Sequence, residues 1–139
     1  MIHNELNKTD KFIPLKRLLM MQMVYCFIGI MYNVGSLLAL RNGQAAWAPT
    51  DAVIGGVGGM ALYGLFLSTG LMKSVTLYRV LMGVCVALMG YGGVVVHLLN
   101  IGHMNLYQSV WTWVGAIGIN GCGVVLNLMA ASGRFSRTT

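Results

Sequence analysis

The chain has 139 residues, 57% of them hydrophobic and only 9% charged, with nine Lys and Arg against three Asp and Glu. A soluble domain carries about a quarter charged residues, so water is the wrong solvent for most of this chain. Nucleic-acid binding is a poor reading because the basic residues flank apolar runs, and the 19 glycines follow no Gly-X-Y period that would indicate collagen.

Residues 1–17 form a polar, basic N-terminal segment expected to lie in the cytoplasm, with Lys8, Lys11, Lys16 and Arg17 against Glu5 and Asp10. Pro14 lacks a backbone N–H and would disrupt an early helix. No cleavable leader is expected, because the first apolar run is long enough to span and no small-x-small site follows it. Residues 18–129 then read as one membrane domain of four spans, about 18–40, 52–72, 80–99 and 106–129. At about 1.5 Å rise per residue, roughly twenty helical residues cross the ~30 Å hydrocarbon core.

In the first span, Gln22, Cys26, Gly29, Asn33 and Ser36 recur at steps of four, three, four and three, which places them on one helical face. A small and polar stripe on an apolar helix reads as a helix–helix contact surface. The alternative, a solute path, is more often marked by ionisable groups, and this stripe has none. Arg41–Asp51 is a loop with Asn42-Gly43 turn chemistry and an interfacial Trp47. Thr50 or Asp51 is expected to cap the second helix. That helix opens with VIGGVGGMA, in which Gly55 and Gly59 make a GxxxG pair beside Gly56. No strand precedes these glycines and no Gly-Lys-Ser/Thr follows, so they are not a phosphate loop.

Lys73–Arg79 is a short basic turn. The third span holds Gly83, Gly90, Gly92 and Gly93, which suit close packing in lipid, and the stretch Val80–Leu99 has no residue that carries a charge except His97 when protonated. Asn100–Asn105 is a tight turn. The fourth span carries Trp111 and Trp113 near its start, and Asn120 and Asn127 seven residues apart on one face, beside Gly115, Gly118 and Gly121. Residues 130–139 read as a solvated cytoplasmic tail with Arg134 and Arg137.

Eight basic residues fall at one set of span ends (Lys8, Lys11, Lys16, Arg17, Lys73, Arg79, Arg134, Arg137) and only Arg41 at the other. The positive-inside rule puts both termini in the cytoplasm, and size and charge pattern suggest a bacterial inner membrane. Cys26, Cys85 and Cys122 sit in three different spans, which argues against a disulfide framework and for small buried residues. An offset of 59 residues aligns Leu18 with Leu77, Met23 with Met82, Cys26 with Cys85 and Tyr32 with Tyr91, a pattern that tandem hairpins would produce.

For chemistry, His97 follows Gly93 by one turn, and a small residue there leaves room for a flat haem or chlorophyll-type macrocycle with His97 as axial ligand. His97, His103 and Met104 together offer imidazole and thioether donors suited to a soft metal. The plainer alternative is a hydrogen-bonded His97 and a turn residue His103. The eleven methionines fall at no ligand spacing and read as gap-filling residues. Catalysis lacks its parts, since no Asp or Glu lies within a span, so a non-enzymatic protein is expected.

The sequence thus predicts an all-α integral membrane protein: a four-helix bundle, N-in and C-in, packed through Gly29, Asn33, Gly55, Gly59, Gly90, Gly93 and Asn120. Its first expected role is a non-enzymatic accessory or assembly subunit of a larger membrane complex, or a self-associating protein, with lipid and other subunits as partners. The alternatives are a haem- or pigment-binding electron-transfer or photosynthetic subunit using His97, and an oligomeric small-solute transporter along the Gln22, Asn33 and Asn120 faces. No cofactor is required by the first of these.

Overall fold

The structure, a computed structural model, describes residues 12–72 and 74–136. His3, Glu5, Lys8, Asp10, Lys11, Lys73 and Arg137 lie outside the described residues, as does the side chain of Asp51. A short strand β1 (Ile13–Pro14) leads into helix α1 (Leu15–Arg41), followed by α2 (Thr50–Leu71) and α3 (Val75–Leu88). The third crossing then continues as a π-helical turn (Met89–Val95), a last α-helical turn α4 (Val96–Leu99) and a 3-10 turn (Asn100–Gly102). A second 3-10 turn (Met104–Leu106) precedes α5 (Val110–Ala131), and β2 (Phe135–Ser136) ends the described chain. Four helices are long and apolar enough to cross a membrane: Leu15–Arg41, Ala52–Leu71, Val75–Gly102 and Val110–Ala131.

The helix boundaries differ from those read in the sequence for local reasons. Pro14 ends the extended entry at φ −56° and the first helix starts at Leu15, three residues earlier than expected, because proline is tolerated where no intrahelical N–H is needed. Thr50 lies inside α2 and Pro49 is its N-cap, with no side-chain cap bond, so the expected Thr50 cap is not made. The third helix starts at Val75 rather than Val80. Arg79 is accommodated in its first turns by donating from Nε to Ala131 O at 3.1 Å, at the C-terminus of α5 where free carbonyls attract a cation. The fourth starts at Val110 rather than Leu106, set by a capping box in which the Ser109 hydroxyl accepts from Thr112 N and Thr112 Oγ1 accepts from Ser109 N. At the ends of α1 and α5, Gly43 and Gly133 adopt φ +72°, the left-handed conformation that terminates helices at little cost for glycine.

In the bundle, α1 packs against α2 and α5, and α3 packs against the same two helices. The two ends of the described chain meet at one end of the bundle, where β1 and β2 pair in parallel with Ile13 opposite Phe135. Phe135 is buried, its ring 6.1 Å from that of Tyr78, so the tail through Ser136 is docked rather than solvated. A single aromatic in a polar tail is enough to reverse the expectation, because the fully buried Tyr78 gives it a partner.

The stripe on α1 faces inward, with Gln22, Cys26, Gly29 and Ser36 buried. Large apolar side chains such as Phe27, Leu65, Leu88 and Val125 are exposed around the outside, the distribution expected where the surrounding medium is lipid. Cys26 and Cys85 are buried but Cys122 is exposed, which corrects the reading of all three as buried. The 59-residue offset pairs like environments only in part: Cys26 and Cys85 are both buried, but Leu18 and Met82 are fully buried whereas Leu77 and Met23 are exposed.

Candidate functional site

Two polar clusters lie inside the bundle. The first sits in the half nearer the termini. Gln22 Nε2 donates to Asn127 Oδ1 at 2.9 Å, Tyr63 Oη donates to the same oxygen at 2.8 Å, and Tyr78 Oη donates to Gln22 Oε1 at 2.5 Å. Methionine sulfurs take what remains: Gln22 Nε2 reaches Met82 Sδ, and Asn127 Nδ2 and Tyr25 Oη reach Met89 Sδ. One set of hydrogen bonds thus ties α1, α2, α3 and α5 together, and its members are satisfied by one another. It is a structural clasp.

The second cluster lines a cavity of about 390 Å³ that reaches from Tyr63 and Met89 of the first cluster into the other half of the bundle, a volume within the usual range for small-molecule sites. Gly55, Gly56 and Gly59 of α2 and Gly92 and Gly93 of the π-helical turn give it walls without side chains. The π-helical turn packs on α5 but scarcely touches α2, which leaves the cavity bordered by Leu62 and Leu88 on the outer surface. Such turns widen a helix by one residue per turn and recur at functional sites. The glycine-rich MGYGGVV segment permits this one.

Besides Tyr32 and Tyr63, whose hydroxyls are bonded elsewhere, three polar side chains line the cavity with hydrogen-bonding atoms to spare. Asn33 Nδ2 donates to Gly29 O and Asn120 Nδ2 to Ala116 O, each at 2.8 Å and each on its own helix. Because a backbone carbonyl must receive an N–H, these bonds fix both amides. Each asparagine keeps its Oδ1 and one N–H unused within the described residues. Asn33 packs on Gly56 and Asn120 on Gly93, where a Cβ on either glycine would collide with the amide. His97 is the third. It is only 6% exposed, and its Nδ1 lies 2.6 Å from Tyr107 Oη. Trp113 Nε1 donates to His97 O at 2.7 Å and so pins that backbone to α5. His97 Nε2 has no partner among the described residues, yet no buried side-chain nitrogen or oxygen there lacks one. Nε2 is therefore accessible, on a side chain that lines the cavity.

A roof of aromatic and loop groups closes the end farther from the termini. Tyr32 Oη lies 2.9 Å from Trp47 O and 2.8 Å from Thr112 O, and Trp47 N donates to Ser36 Oγ. Trp47 stacks edge-on against Tyr32 and over Gly35, and Gln108 N donates to Ala46 O across the two loops.

Of the residues singled out in the sequence, the structure brings His97, Asn33, Asn120, Gly55, Gly59 and Gly93 to this cavity. Gly29 instead packs against Met60, and a Cβ on Gly55, Gly59 or Gly90 would meet nothing within 4 Å. His103 and Met104 sit on the turn beyond α4 and do not line the cavity, and among the described residues no three His, Cys, Asp or Glu side chains are grouped to hold a metal. Gln22 belongs to the other cluster, so the proposed Gln22–Asn33–Asn120 face divides between two sites. Sequence reading missed Tyr107, Trp113 and Tyr32. Only Tyr32 carried a signal, since it lies one turn from Ser36 on the inward side of α1. No protein-family model matches this chain, and no curated protein or solved structure matches it.

Proposed function

We propose that this is a non-enzymatic multi-pass membrane protein that binds a lipid-soluble small molecule in the cavity between α2 and the π-helical turn. The observation that carries the reading is His97, nine-tenths buried, held through Nδ1 and its backbone oxygen while Nε2 stays unpaired toward the cavity. A largely buried side chain that keeps an accessible ring nitrogen unpaired at a cavity leaves a hydrogen bond for a ligand to complete. The charge pattern supports a bacterial inner membrane with both termini in the cytoplasm, which puts the cavity in the outer leaflet half. Gly92→Leu is the direct test. Gly92 lines the cavity and a Cβ there would meet nothing within 4 Å, so a larger side chain takes up room at the cavity's edge without displacing a helix. Gentle purification followed by mass spectrometry of the extracted lipids is expected to find one small molecule at near-stoichiometric level in the wild type and to lose it in Gly92→Leu. Equal recovery from both proteins would sink the reading.

A second reading, the accessory or self-associating subunit, is favoured by Gly58 and Gly118. Both are exposed, neither lines the cavity, and a Cβ on either would meet nothing within 4 Å. Small residues on a lipid-facing surface let another helix approach closely. Native mass of Gly58→Leu compared with wild type tests it, with loss of an oligomer or co-purifying subunit as the expected result.

A further inference from the structure

We infer that the ligand is a neutral carbonyl compound of the quinone class, held by hydrogen bonds that the protein donates; this rests on the cavity being a binding site. One proton sets the polarity of the site. Tyr107 is buried, and its hydroxyl has two neighbours among the described residues: Asn100 Nδ2, which donates to it at 3.4 Å, and His97 Nδ1 at 2.6 Å. An amide N–H can only donate, so the hydroxyl proton has one acceptor, His97 Nδ1. Were Nδ1 itself protonated, the buried O–H would point at nothing. The neutral imidazole therefore carries its proton on Nε2, and the cavity meets an N–H donor there.

That polarity selects among ligands. A metal or a macrocycle's iron needs the lone pair that Nε2 no longer offers, whereas a carbonyl oxygen accepts the N–H directly. The free N–H groups of Asn33 and Asn120 add two more donors on the walls, beside their two unused amide oxygens. Among the described residues lining the cavity none is charged, so an ionised ligand would go unpaired in a low-dielectric site and a neutral one is selected. Walls made of glycine on both α2 and the π-helical turn admit a flat ring, and the scant contact between those two elements gives an isoprenoid tail an exit past Leu62 and Leu88. A flat ring bearing carbonyls on an apolar tail meets all four conditions.

Two measurements test this on the full chain in mild detergent. The first reads the tautomer by 15N resonances of the His97 imidazole. Protonated Nε2 with bare Nδ1 is expected, with the preference lost in Tyr107→Phe; protonated Nδ1 would overturn the inference whatever binds. The second is calorimetric titration with decylubiquinone and with decylbenzene, which shares the tail and lacks carbonyls. Decylubiquinone is expected to bind at least tenfold tighter, and to lose about tenfold in His97→Ala, the size of one hydrogen bond, while His103→Ala leaves it unchanged. Equal binding of both compounds, indifference to His97→Ala, or a haemin Soret band lost in His97→Ala would overturn the quinone assignment. The cavity reading would survive each of these so long as Gly92→Leu abolishes binding. Binding of neither compound to a wild type that still carries a cavity-dependent lipid would overturn this inference alone.

Discussion

The two polar clusters are built from the same kinds of residue and end in opposite states. Nearer the termini, Gln22, Asn127, Tyr63 and Tyr78 spend their donors and acceptors on one another across four helices. Farther away, Asn33 and Asn120 bond only to their own helices, and His97 keeps one ring nitrogen free. In lipid the choice matters more than in water, because nothing outside the protein can satisfy a leftover group. The first arrangement fixes the fold. The second leaves hydrogen-bonding capacity beside empty space, which is what a binding site needs.

The largest loss is expected at Asn127. Asn127→Ala removes the acceptor shared by Gln22 Nε2 and Tyr63 Oη, both on fully or nearly fully buried side chains. Leaving two buried donors unpaired is expected to cost about 2–4 kcal/mol, more than the sub-kilocalorie average for single membrane hydrogen bonds because both partners are stranded. Reversible unfolding in mixed micelles with increasing dodecyl sulfate measures it. A loss below about 0.5 kcal/mol would mean the clasp does not hold the bundle.

Gly56 and Gly55 sharpen the contrast within one turn of α2. A Cβ at Gly56 would collide with the Asn33 amide, so Gly56→Ala must displace it, at an expected cost of about 1–2 kcal/mol. At Gly55 a methyl would meet nothing within 4 Å, and alanine's better helix propensity should leave stability unchanged or raised by up to about 1 kcal/mol. The same unfolding titration separates them, and equal losses at the two positions would contradict the register of α1 against α2.

Legibility followed the same divide. Regular helix carries its own signal: apolar length announced the four spans, and the three–four spacing from Gln22 to Ser36 announced an inward face that does face inward. What periodicity cannot reach is pairing at long range or across irregular backbone. Gln22 meets Asn127 over a separation of 105 residues, and nothing in either helix names the other. His97 and Tyr107 are ten residues apart, but two 3-10 turns intervene, so no helical wheel relates them. The π-helical turn was legible only as a cluster of glycines, which reads equally as a packing face. Cys122 illustrates the limit for a single residue: one thiol in an apolar span has no preferred side, and this one faces out.

The smallest effect is expected at Asn33, and its smallness is the point. Its side-chain N–H goes to Gly29 O, a carbonyl one turn back in the same helix and already positioned for the ladder bond from Asn33 N. Its removal in Asn33→Ala strands no donor on another helix. It leaves a gap beside Gly56, offset by the gain in helix propensity, so the net loss should be about 0.5 kcal/mol or less. Ligand affinity, by contrast, should fall severalfold, because the second N–H is one of the donors facing the cavity. A stability loss matching that of Asn127→Ala would erase the distinction between the clusters and make Asn33 part of the scaffold. A near-neutral fold with weakened binding would mean that the two halves of this bundle divide the work, one holding the helices and the other holding the ligand.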